Sequence, residues 1–232
     1  MRKFRFLIAI VFLLLAAAPL PARSDFDAGM AAYERGEFET AMTEWLPLAE
    51  AGDTKAQYRV GRLHSHGEGV VQNYTTAAHW YERAANKGHI RALFNLGHIF
   101  WHGNGLPRNQ TKAITWFRKA AVLGDAKAQN HMGTAYSEGL GVEQNEETSV
   151  YWFYRSATQG NVNAQGSLSY HYMYGRGVKE DRVKGYMWFT LWLREPTWRT
   201  YVSYPFMIQR TQSDQRREAK RLASEWRPVV EK

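Results

Sequence analysis

Few residue types in this chain can do chemistry at neutral pH, and histidine leads them. His98 and His102 are four residues apart, a spacing that places two imidazoles on one helix face and suits a metal ion. His66 occupies the place of His102 one sequence repeat earlier, so adjacent repeats bring a third ring toward the pair. No acidic or cysteine ligand is signalled beside them, and neither a metal nor a cofactor is expected. The chain has no cysteine, which leaves no disulfide framework and no lipoprotein acylation site. None of S-x-x-K, G-x-S-x-G, H-E-x-x-H or G-x-x-x-x-G-K-[ST] occurs. Four G-x-G elements lack a third glycine and follow helical patterns, whereas a dinucleotide fingerprint follows a strand. The chain reads as non-enzymatic.

A larger set of residues points to binding. The tryptophans Trp80, Trp116, Trp152 and Trp188 recur every 36 residues, and positions three, seven, ten and fourteen of each such unit share a helical face. These positions hold Lys55, Arg59, Arg62 and His66; Arg91, Asn95, His98 and His102; Lys127, His131, Thr134 and Glu138; Asn163, Ser167, Tyr170 and Tyr174. Glu138 is the one acid among sixteen, although residues 25–193 carry 17 basic and 17 acidic side chains. Read plainly, this is a solvated face; read functionally, it is a groove for an acidic protein segment or an anionic polysaccharide. His66, His98, His102 and His131 are expected to add charge as pH falls through about 6.5, and Tyr170 and Tyr174 suit stacking on sugars.

The elements that position these residues are helix pairs. Glycines keep the same step as the tryptophans: Gly67 and Gly69, Gly103 and Gly105, Gly139 and Gly141, Gly175 and Gly177. The units are 53–88, 89–124, 125–160 and 161–193. In the first, Ala56, Val60, Leu63 and His64 form the core side of one helix. The paired glycines supply positive φ, Asn73, Asn109, Asn145 and Asp181 cap the second helices, and Gly88 ends the first of these. Trp80 and Tyr81 are expected to fill the space between helices, with Trp116 doing so in the next unit. The fold class is all-α, an α/α superhelical solenoid of helix-turn-helix repeats, because one unit cannot bury its surface without neighbours.

The ends differ. Residues 25–52 form a shorter helix pair without the glycine loop, an N-terminal capping repeat. Residues 194–232 comprise an irregular stretch from Arg194 to Tyr204 and a final helix with Ser213 as N-cap and Ala219, Leu222, Ala223 and Trp226 on one stripe. That helix covers the open end, or alternatively binds a partner through Arg217, Lys220 and Arg221. Residues 1–24 read as a cleavable signal peptide: Arg2, Lys3 and Arg5, an apolar run from Phe6 to Ala18, then small residues at Ala22 and Ser24. The apolar run falls short of the about 20 residues a membrane span needs, so the mature protein is expected to be periplasmic or secreted without a membrane anchor. Without the leader the chain keeps 26 basic and 22 acidic residues, too small an excess to indicate nucleic-acid binding.

The recurring A-x-x-x-x-G, G-x-G-[VL], Asn or Asp, and A-x-x-W-[YF]-x-x-A-A-x-x-G elements resemble Sel-one-like repeats, relatives of tetratricopeptide repeats with a period two residues longer. The resemblance covers residues 25 to about 226. It implies first helices lining a concave side and a protein–protein scaffold or adaptor in the bacterial cell envelope, with control of exopolysaccharide as the alternative. The fourth unit departs from the pattern at Gly185, Trp192 and Leu193. The cysteine pairs of a branch associated with penicillin binding are absent, so that activity is not implied.

Overall fold

The computed structural model describes residues 25–194 and 205–229; the expected signal peptide lies outside them, as does nearly all of the stretch from Arg194 to Tyr204. The helices are α1 (Phe26–Glu34), α2 (Phe38–Glu50), α3 (Thr54–His66), α4 (Tyr74–Ala85), α5 (Ile90–His102), α6 (Gln110–Val122), α7 (Ala126–Glu138), α8 (Glu146–Thr158), α9 (Val162–Tyr174), α10 (Arg182–Trp192) and α11 (Ser213–Glu225), with a helical stretch at 205–210 before the last. No strand occurs among the described residues, and no helix among them is long and apolar enough to cross a membrane. Each helix packs on the next along the chain, which builds a solenoid of helix-turn-helix pairs.

The local signals are realised as the residues dictate. Asn73, Asn109, Asn145 and Asp181 each accept a hydrogen bond from the backbone N–H three residues on, at 2.8–2.9 Å, opening α4, α6, α8 and α10. Gly103 ends α5 at φ +76°, where a β-carbon is strained. The second glycine of each pair has a further reason: a β-carbon at Gly141 would lie 2.8 Å from the Gln110 carbonyl carbon, because this loop presses on the start of the preceding unit's second helix. For the last helix the N-cap is Gln212 rather than Ser213, since Gln212 and Gln215 form a reciprocal capping box.

Trp80 and Tyr81 fill the space between helices as the sequence leads one to expect, while Trp116 departs from that expectation. Tyr81, Phe117, Phe153 and Phe189 are at most 3% exposed and Trp80, Trp152 and Trp188 at most 9%, while Trp116 is only partly buried. The second aromatic drops onto a glycine of the first helix: a β-carbon at Gly97 would lie 2.7 Å from the Phe117 ring. The neighbouring tryptophan carries a cation on its outer side, Arg83 over Trp80 at 4.5 Å and Lys119 over Trp116 at 4.4 Å.

Polar links tie successive units. Gln57, Gln129 and Gln165 are buried and donate to the carbonyls of Ala49, Ala121 and Ala157 at 3.1, 3.1 and 3.4 Å. Lys87 and Gln159 reach back to the carbonyls of Gly52 and Gly124. The joint between the first two full units breaks this rule, with Leu93 for the glutamine, Leu123 for the reaching side chain and His89 for the Asp or Asn cap. An apolar cleft of about 540 Å³ results, with Val122 and Leu123 62% and 49% exposed. At the far end α11 lays Ala219 and Ala223 on α10, Trp226 meets Trp188 edge-on at 6.2 Å, and the Val229 N–H donates to the Thr158 carbonyl.

Candidate binding surface on the first helices

The helices α3, α5, α7 and α9 present the sixteen positions, and the repeat keeps them in register. Lys55, Arg91 and Lys127 are all exposed and occupy the same place on consecutive first helices, so they form a row. None of the three pairs with a carboxylate among the described residues.

Arg59 and Arg62 belong to a different environment. The Arg59 guanidinium lies 5.8 Å from the Tyr33 ring centre and 5.6 Å from that of Trp45, and Arg62 lies 4.9 Å from Tyr33. Burial, and then the neighbouring charge of Arg62, lower the Arg59 pKa. They seal the joint between the first helix pair and α3 through cation–aromatic contact, so at these two positions the face is packed as well as solvated. Tyr33 and Trp45 carried that signal in the sequence, but their distance in the chain hid it.

The histidines divide in the same way. His98 and His102 lie with ring centres 4.2 Å apart and planes tilted by 48°, and His131 lies 6.5 Å from His98. His66 is exposed and borders a cleft between α3 and α5 together with Asn95 and His98. No group of three His, Cys, Asp or Glu side chains arranged to hold a metal occurs among the described residues. His131 lies flat on Phe117, 4.5 Å between centres and 10° between planes, and burial pushes its pKa down to about 4. It stays neutral across mildly acidic pH, which overturns the expectation that it adds charge near 6.5. Burial also lowers the pKa of His98.

Farther along, Thr134, Glu138, Asn163, Ser167 and Tyr170 border a cleft of about 770 Å³ between α7 and α9. Tyr170 and Tyr174 are both exposed, 4.7 Å apart, with Arg176 over the first and Arg210 over the second. A cluster the sequence did not suggest lies beside them. His171 is 3% exposed, its Nδ1 is 2.9 Å from the Arg176 carbonyl and 3.7 Å from the Glu146 carboxylate, and Arg176 also pairs with Glu146. The arrangement pins the fourth glycine loop to the start of α8.

The surface offers cations, imidazoles, amides and tyrosines in sequence along consecutive helices, which suits recognition of an extended partner. Sel1 repeat proteins generally act as protein-interaction scaffolds, and their fold is typically non-catalytic. A Sel1 repeat protein from Oxalobacter formigenes has the same fold with a TM-score of 0.72 and 27% identity, over 87% of this chain and 82% of that one. A protective antigen present in uropathogenic Escherichia coli strains, which displays an SLR fold, aligns with a TM-score of 0.56 and 24% identity over 84% of this chain and 51% of its own. Comparison with curated protein sequences finds no match. The Sel1 repeat model matches residues 54–89, 90–125, 126–161 and 162–194 in unbroken succession, and the chain belongs to the Sel1 repeat family.

Proposed function

We propose that this protein is a scaffold of the bacterial cell envelope that binds an acidic protein segment along its first helices. The observation that carries the reading is the row of Lys55, Arg91 and Lys127, exposed and without carboxylate partners among the described residues, in a stretch whose overall charge is balanced. Three cations spaced along consecutive helices attract a chain of carboxylates while leaving isolated anions weakly held. The signal-peptide pattern of residues 1–24 supports the location.

Fluorescence anisotropy with a labelled oligoglutamate peptide tests the reading. Binding should weaken as salt rises, because exposed charges are screened over about 8 Å at physiological ionic strength. The combined Lys55→Glu, Arg91→Glu and Lys127→Glu variant should lose binding and keep its helical circular dichroism. Equal affinity of the variant and the parent refutes the reading. Oligogalacturonate, titrated in parallel, distinguishes a protein partner from an anionic polysaccharide. Mass spectrometry of exported protein should find a mature terminus near Asp25, and an intact Met1 terminus contradicts the location.

A further inference from the structure

The sixth position of each unit differs down the array: Tyr58, Phe94, Asn130 and Gly166. In the first two units this side chain is a ring seated against the buried aromatic of the second helix, Tyr58 on Tyr81 at 5.9 Å and Phe94 on Phe117 at 5.6 Å. Phe94 also reaches His131 on the next first helix, 5.8 Å away, and so closes the gap between α5 and α7. In the third unit Asn130 replaces the ring, and in the fourth Gly166 gives its space to Trp192, whose ring would lie 2.9 Å from an added β-carbon. The cleft between α7 and α9 is accordingly about 770 Å³, against about 360 Å³ between α3 and α5. Phe153 and Trp192 are among its lining residues, and the buried Asn130 Oδ1 accepts no hydrogen bond.

We infer that this cleft is a slot for an aromatic side chain of the acidic partner, inserted where the first two units place their own ring. The inference rests on the reading of the first helices as an acidic-peptide surface, and it adds the anchor residue. The chain's own Tyr58 and Phe94 show what fits the site. Phe153 lies at the floor of the cleft and Asn130 stands at the place that the ring fills in the first two units. Lys127 stands one turn before Asn130 on the same face of α7, so carboxylates flanking the aromatic residue meet the cation row as the ring enters.

Two peptides test this, a glutamate-rich one with a central phenylalanine and its alanine counterpart, each titrated against the parent, Asn130→Phe and the triple glutamate variant. The phenylalanine peptide should bind the parent about tenfold more tightly, a difference typical of one buried ring. Asn130→Phe fills the slot from within and should erase that difference. The triple glutamate variant should weaken both peptides. Equal binding of the two peptides to the parent overturns the slot even where the charge row holds. Should neither peptide bind, chemical-shift mapping with N-acetyl-phenylalaninamide against N-acetyl-alaninamide decides the slot independently of charge. Shifts at Asn130 and Gly166 with the phenylalanine compound alone, absent in Asn130→Phe, sustain it. No such shifts, or shifts with methyl glucoside in their place, overturn it.

Discussion

Phe117→Ala should destabilise the array far more than Trp116→Ala, although tryptophan is the residue that marks the repeat. Phe117 is fully buried, rests on Gly97, and meets Phe94, Trp101 and His131 with ring centres 5.6, 5.9 and 4.5 Å away. Truncating such a ring removes its transfer free energy and leaves a cavity that helices on three sides cannot fill, a loss of about 3–5 kcal/mol. Trp116 is partly exposed under Lys119, so its truncation forfeits partial burial and one cation–aromatic contact, about 1–2 kcal/mol. Urea titration followed by circular dichroism reads both. With a slope of about 2 kcal/mol/M, Phe117→Ala lowers the midpoint by about 1.5–2.5 M and Trp116→Ala by less than about 1 M. A Trp116→Ala loss equal to or larger than that of Phe117→Ala refutes the packing described.

Other consequences follow from single contacts. Gly103→Val should lower the melting temperature through strain at φ +76°, by about 1–3 kcal/mol, and an unchanged melt removes the glycine argument. Leu123→Lys should raise stability by about 0.5–1 kcal/mol, because lysine at that position donates to the preceding glycine carbonyl as Lys87 does to Gly52, which thermal melts read directly. His131 binds its proton near pH 4 in the folded chain and near pH 6.5 when unfolded. The unfolded state therefore takes up the proton first, and stability falls as pH drops from 6.5 to 4, by up to about 3 kcal/mol from this residue. His64, His89, His98 and His171 are lowered by burial and act in the same direction. His131→Phe keeps the stacking and should flatten the pH dependence by His131's share, as measured by denaturation at pH 7 and pH 4.5.

Much of the fold was legible because its signals are local and recur. An asparagine cap, a positive-φ glycine and an alanine against a neighbouring helix each act within a few residues, and four copies in order leave little choice of architecture. What escaped depends on how neighbouring units meet. Trp116 and Phe117 are adjacent in sequence and about 100° apart around α6, so spacing alone does not say which one faces Gly97. Arg59 lies on the expected surface, yet Tyr33 and Trp45 from another helix pair reach it, and its charge is spent on packing. His131 reads as a groove histidine until Phe117 lies flat against it. The slot at Asn130 was written in the sixth position of each unit, but its meaning needed the distance from Phe94 to His131.

The central claim is that partners dock along the row of first helices, and photo-crosslinking tests it most directly. An oligoglutamate peptide bearing a benzophenone group, irradiated with the mature protein and mapped by mass spectrometry, should attach to α3, α5 and α7 near Lys55, Arg91 and Lys127. Excess unlabelled peptide should remove those attachments. Crosslinks concentrated on α11 near Arg217 and Lys220, or spread evenly over the surface, contradict the account.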